Sequence, residues 1–358
     1  MINMNFSFLV TPEINPRHWR QGNNCIINVL ICFFACFGIL TPIAVPVILS
    51  DSQSGSWKIN KIGHFLVGGK KLCTMASATE AKGAVAIAGS SFVAALRPRI
   101  ILFGDSLTER SFDAPEGWGA SLASFYVRRA DITNRGMSGY NTRWALQTLP
   151  YVFGRERTPG VPLVQATAER VLFATVFFGA NDAARIDGTS HSARQHVPLD
   201  EYRGNLKEMV RYIKATGVER VAIITPPPVS DTGRKIAQIQ RMGEQARNWP
   251  LDRNFATSAE YSKAAVDVAK ELGVPCLDLF TLLQDENWEQ KYLCDGLHLT
   301  PLGQEKVFHL MRKLVQDEWH DILPHLLPTQ FPAWDAINFD DIPSSFVATE
   351  AAFQQQPP

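Results

Sequence analysis

From residue 97 onward the sequence repeats one unit: a short β-branched or apolar run, a polar turn, then a longer segment of helical character. The strand candidates are 99–103, 131–134, 171–178, 220–225 and 274–277. Among the helices between and after them are 199–215, 258–272 (ended by Gly273) and 302–316, the last opened by Thr300 as N-cap and Pro301 in the first turn. Parallel strands need crossovers, and helical crossovers cover both faces of the sheet. The pattern therefore predicts an α/β fold, a three-layer α/β/α sandwich around a five-stranded parallel sheet. Ligands of such sheets bind beyond the carboxyl ends of the strands, so residues just after a strand are the first candidates for function.

Four stretches occupy such places. After the first strand comes Gly104-Asp105-Ser106-Leu107. Ser106 at a strand-to-helix turn suits a nucleophile, because backbone N–H groups are free there and the helix dipole favours negative charge. Ser106-Leu107-Thr108-Glu109 is equally an S-x-x-E capping box, in which the serine only ties down the helix. "NRGMSGYNT", 134–142, follows the second strand, and Gly136 and Gly139 let its backbone turn tightly. "FFGANDAAR" puts Asn181 just past the third strand, where an Asn commonly bonds its own backbone. In "YLCDGLHLTPLG", Asp295 and His298 are three apart, so one helical turn would set both on one face. A carboxylate so placed orients an imidazole as in a triad; a metal-ligand pair or a surface turn is as good a reading of D-x-x-H alone.

A metal would need further ligands, and only the scattered His191, His196, His309, His320 and His325 are on offer, so no metal and no cofactor is expected. No G-x-G-x-x-G follows the first strand, which argues against a nucleotide-binding sheet. The G-x-S-x-G elbow of the α/β-hydrolases is also missing, because Thr108 stands where its second glycine would be.

Taken together, "ILFGDSLTERSF", Gly117-Trp118-Gly119, "NRGMSGYNT", "FFGANDA", "ITPPP" (224–228) and "DGLHLTPLG" resemble the signature blocks of the SGNH (GDSL) hydrolase superfamily. They look most like its isoamyl-acetate-hydrolysing esterase branch and the plant GDSL esterases. The resemblance spans 97 to about 318, and no signature position departs from it. It implies an SGNH/flavodoxin-like sheet and a serine esterase acting on small acyl or acetyl esters. Ser106 would be the nucleophile, His298 the general base and Asp295 its orienting acid. Gly139 and Asn181 would complete an oxyanion hole with the Ser106 N–H. Phe112 and Trp118 are candidates for an apolar acyl site, a core role being as open for both, and Pro226 and Pro227 stiffen a loop that shapes the pocket in the family. The alternatives are a carbohydrate or xenobiotic O-deacetylase, and a catalytically silent, membrane-tethered α/β binding module with Ser106 as a cap. Two polar stretches, 183–200 and 226–252, could rim the site, the alternative being solvated surface loops, which is the expectation for the basic residues of the second.

The remaining chain reads as a polar lead (1–24), an apolar segment (25–50), a linker (51–96), the hydrolase domain (97–323) and a C-terminal tail (324–358) expected to dock Phe331, Trp334, Ile337 and Phe339 and to be disordered from Ala348. Residues 29–49 carry no charge over 21 positions, the length of a membrane-spanning helix, so a single-pass anchor is expected. A chain begun at Met75 would lack it and be cytoplasmic. The resemblance to related esterases implies a tail packed on its own domain or on a second subunit, the latter making a homodimer a candidate assembly. Lys plus Arg (35) balance Asp plus Glu (35), which leaves no basic footprint for nucleic acid. The partner expected is a small ester. Cys276 and Cys294 are expected as free buried thiols.

Overall fold

The computed structural model describes residues 59–67, 70–78, 97–154 and 170–347. The chain divides into two units, Met1–Ser91 and Phe92–Pro358. In the first, β1 (Ile59–Val67) and β2 (Lys70–Ala78) pair antiparallel, within the stretch read as a linker.

The second unit holds the parallel sheet: β3 (Arg99–Gly104), β4 (Asp131–Gly136), β5 (Val171–Phe177), β6 (Val221–Ile224) and β7 (Cys276–Leu277), in the order β4-β3-β5-β6-β7. All five expected strands form. The two-residue period of a strand sends neighbouring side chains to opposite faces. Ile100 and Leu102 of β3, with Ala222 and Ile224 of β6, enter one core, which the helices Trp118–Phe125 and Pro301–Glu318 cover through Leu122, Val307 and Met311. Ile101 and Phe103, with Val221 and Ile223, enter the other, under the helices Leu199–Ala215 and Phe255–Leu272. The first of these buries Tyr202, Leu206, Met209 and Ile213, the i, i+4, i+7 stripe of a helix with one apolar side. The result is the expected three-layer sandwich.

Strand order positions the site. The chain leaves β3 toward β4 on one side, whereas β5 lies on the other, so the connections diverge at the carboxyl ends of β3 and β5 and open a crevice there.

Four expectations are corrected. Among the described residues no helix is long and apolar enough to cross a membrane, so the expected transmembrane helix and membrane anchoring are without support there; the segment 25–50 that suggested them lies outside the described residues. The homodimer is unsupported, because the tail meets its own domain: Arg128 Nη2 donates to Phe331 O and Pro332 O, both at 3.0 Å, and Arg129 donates to Leu327 O. Of the tail's apolar side chains Leu327 enters the core, whereas Phe331, Trp334 and Phe339 stay exposed and Ile337 is only half-buried. Residues 348–358 lie outside the described residues. Both thiols are free, but Cys294 is exposed and Cys276 half-buried.

Candidate active site

Asp105, not Ser106, caps the short helix Ser106–Glu109: its Oδ1 accepts the Leu107 N–H at 3.0 Å. Glu109 does not close a capping box; it crosses to the loop after β4, where its carboxylate accepts the Ser138 N–H (2.8 Å) and hydroxyl (2.7 Å). Asn134 of β4 fastens the same turn, its Nδ2 donating to Thr108 O and Glu109 O, each at 3.0 Å. Gly136 makes this approach possible, since a β-carbon there would fall inside the Glu109 backbone. β4 and the loop after it thus grip the turn, and the Ser106 side chain is free for other work.

Its Oγ lies 2.9 Å from His298 Nε2, and His298 Nδ1 lies 2.9 Å from Asp295 Oδ2. Asp295 and His298 share a face without a helix. Their loop is pinched by a bridge between Leu293 and Leu299 and by Cys294 N–H donating to His298 O at 2.8 Å. Inside it, Asp295 Oδ1 accepts the N–H groups of Leu297 (3.1 Å) and His298 (2.8 Å). Oδ2, left for the imidazole, also accepts from Arg234 Nη1 at 3.2 Å. Burial by itself raises the Asp295 carboxyl, but His298, the His298 N–H and the Arg234 charge outweigh it and hold the group far below the ordinary carboxylate range.

Across the crevice, Asn181 Nδ2 donates to Tyr140 O at 2.9 Å, and Gly139 turns with φ +80°, a conformation suited to glycine. Among the described residues, neither the Ser106 nor the Gly139 N–H has a protein acceptor. Ser106, Gly139, Asn181 and His298 line one cavity of about 330 Å³. All five residues singled out for chemistry therefore meet at one place.

The four candidates for substrate binding do not line this cavity. Trp118 is buried, its Nε1–H donating to Leu107 O at 3.1 Å, so it props the nucleophile turn from below. Phe112 is exposed beside Gly119. Pro226 and Pro227 are buried, and Pro227 O accepts the Ser258 hydroxyl at 2.6 Å. Other residues line the cavity, most of them polar, including Arg110, His191, Gln195, Arg234, Arg241 and Arg253, together with the apolar Met242 and Leu297. Of the basic residues in the loop 226–252, Arg241 and Arg247 are exposed and Lys235 is half-buried, but Arg234 is only 2% exposed, which corrects the solvated reading for that residue; Arg253, just past the loop, is 5% exposed. Nothing local in the sequence marks them; only the fold brings Asp252 and Asp295 against Arg234. Among the described residues no group of three or more His, Cys, Asp or Glu is placed to hold a metal.

Two buried carboxyls lie beneath the site. Burial pushes Asp105 up to about 7, opposed by the Leu107 N–H and reinforced by Asp182. Burial does the same to Asp182, against hydrogen bonds from Thr142. A folded-state pKa above the unfolded value of about 4 means that the folded chain retains protons the unfolded chain releases. The resulting stability is complete below pH ~4 and is lost as pH rises through 7. Relative to Asp182→Asn, which has no proton to lose there, the wild type is expected to lose melting temperature between pH 5 and pH 8. Thermal unfolding of both proteins at the two pH values checks this, and an unchanging difference would count against it.

A serine, an imidazole and a carboxylate in hydrogen-bonded series at the switch point of a parallel sheet perform acyl transfer, and the class so defined is the carboxylic ester hydrolases with a serine nucleophile. The chain belongs to the GDSL-like Lipase/Acylhydrolase family, whose profile matches residues 102–306. It is 41% identical over 239 residues to a GDSL esterase/lipase of Arabidopsis thaliana, covering 66% of this chain and 92% of that protein. It is also 42% identical over 247 residues to an isoamyl acetate-hydrolyzing esterase 1 homolog of Rattus norvegicus, covering 68% of this chain and 90% of that protein. Among solved structures it is similar to the lipase/acylhydrolase from Enterococcus faecalis, with 23% identity and a TM-score of 0.45, covering 62% of this chain and 96% of that one.

Proposed function

We propose that this esterase turns over acetyl and other small acyl esters through an acyl-enzyme on Ser106. Ser106 Oγ attacks the ester carbonyl as His298 Nε2 takes its proton, and Asp295 stabilises the imidazolium that forms. The tetrahedral oxyanion is met by the Ser106 and Gly139 N–H groups and by Asn181 Nδ2, donors already oriented before the charge develops. Collapse breaks the bond to the alcohol oxygen, which leaves with the proton from His298. Water, deprotonated by the same imidazole, then attacks the acyl-enzyme and releases the acid. The observation that carries this reading is the unbroken series Ser106–His298–Asp295, with both links at 2.9 Å.

The name of the rat relative supports a small apolar alcohol as leaving group. The polar lining, Arg110, His191 and Arg241 among it, favours a second reading, an O-deacetylase for polar alcohols such as sugars. Turnover of an aryl acetate, an aryl butyrate and an acetylated sugar separates them. The first reading expects kcat/KM to be highest on the aryl acetate; highest values on the acetylated sugar would replace it with the second, and no turnover of any would remove both.

A further inference from the structure

Behind Asn181 and Asp295 lies a buried ionic network. Asp252, 9% exposed, accepts from Arg234 through both oxygens, Nε at 2.8 Å and Nη2 at 2.7 Å, and its Oδ2 also accepts from Arg253 Nη1 at 3.1 Å. Arg253 then reaches the site on its other edge. Its Nε donates to Ala180 O at 2.8 Å, and its Nη2 donates at 2.7 Å to both Asn181 Oδ1 and Gln195 Oε1. Gln195 Nε2 in turn donates to Asn181 Oδ1 at 3.1 Å and to Gly139 O at 2.9 Å. Stability alone is a weak reason for such a network, because well-packed apolar side chains of similar volume serve a core as well or better than buried charges.

The chemistry of the amides gives a better one. The oxygen and nitrogen of an Asn side chain occupy nearly equivalent space, so a flip of about 180° changes little sterically while reversing which atom faces the substrate. An oxyanion hole needs the nitrogen there. Gln195 by itself is a weak lock, since it is also an amide and can turn over together with Asn181. Arg253 cannot: a guanidinium has only donors, so any amide atom facing it must be oxygen. One Nη2 group holds both carbonyl oxygens, and burial brings the guanidinium down only to about 10, which leaves it charged at neutral pH.

We propose that Arg253 is a positioning residue that fixes the amide of Asn181 with its Nδ2 toward the oxyanion, and that Asp252 anchors it while tying it, through Arg234, to Asp295. The proposal rests on the acyl-transfer reading above. Tyr140 O and Gly139 O favour the same amide orientation, so removing Arg253 loosens the donor without inverting it. The expected loss is therefore smaller than that of deleting the Asn181 donor outright, which is ~10²- to 10³-fold in kcat.

The test is a double-mutant cycle in the full chain, with kcat and KM measured on an aryl acetate for wild type, Arg253→Met, Asn181→Ala and the double variant. Arg253→Met is expected to lower kcat about ten- to a hundredfold with KM nearly unchanged. In the Asn181→Ala background the same change is expected to cost about threefold or less. A kcat for Arg253→Met within about threefold of wild type overturns the proposal, as does an equal factor in both backgrounds, which would mark a structural role. If Arg253→Met does not fold, Arg253→Gln, whose amide can face Asn181 with either a donor or an acceptor, runs the same cycle with the same expected losses and the same criteria. Failure of the underlying reading looks different: Ser106→Ala would then hydrolyse the ester as fast as wild type.

Discussion

Ser106→Ala is expected to lower turnover of an aryl acetate by about 10⁶-fold, the scale on which serine hydrolases lose their nucleophile, and to abolish labelling by a fluorophosphonate. The structure makes this a clean experiment. Asp105 caps the helix, Glu109 ties the turn to Ser138 in the loop after β4, Asn134 of β4 holds it as well, and the described hydrogen bond of Ser106 Oγ is to His298. The stability change is therefore expected to stay within the worth of one partly solvated hydrogen bond, about 1 kcal/mol. Activity and stability separate the two roles open to this serine. A cap would lose stability and keep activity; a nucleophile does the reverse. Equal labelling or equal turnover of wild type and variant would end the serine-hydrolase mechanism.

Asp295→Asn is expected to cost about 10⁴-fold in kcat with the fold intact. The reason lies in which atoms already face the carboxylate. Oδ1 accepts the backbone N–H groups of Leu297 and His298, so in the amide that position must remain oxygen. The new NH₂ is then forced to the Oδ2 site, where it meets Arg234 Nη1 and His298 Nδ1. Facing a donor, Nδ1 must give up its proton and the ring carries it on Nε2, the nitrogen that has to accept the proton of Ser106. The wrong tautomer, together with the lost negative charge beside the imidazolium, disables the base. Steady-state kinetics with circular dichroism as the folding control checks this; a loss under about tenfold would show that Asp295 does not set the His298 tautomer.

Much of the sheet was legible because its signals are local. Strands such as β3 and β6 are continuous apolar runs with turns on either side, and the helix Leu199–Ala215 has both its stripe and its ends written in sequence. The five residues with candidate chemistry were legible for a related reason: each sits directly after a strand or within one compact loop, where the short motif around it is conspicuous. Ser106 remained ambiguous until the cap was seen to be its neighbour Asp105, because S-x-x-E satisfies a capping box whether or not Glu109 turns back. The Asp295–His298 pair was expected on a helical turn and lies instead in an Asx-type loop, since i, i+3 spacing does not say what holds the two together.

By itself, then, the sequence determined the layer architecture, the five strands and the five residues with candidate chemistry, all properties of segments a few residues long. Only the tertiary structure decided what those residues face. It buried Trp118, Pro226 and Pro227 away from the cavity and took Arg234 and Arg253 out of solvent. It also joined Asn181 to Asp295 through one carboxylate, Asp252. The physical reason is that burial and ion pairing are set by groups distant in sequence. A charged side chain in a loop is solvated by default, and becomes part of a site only when the fold supplies the partners that repay its desolvation.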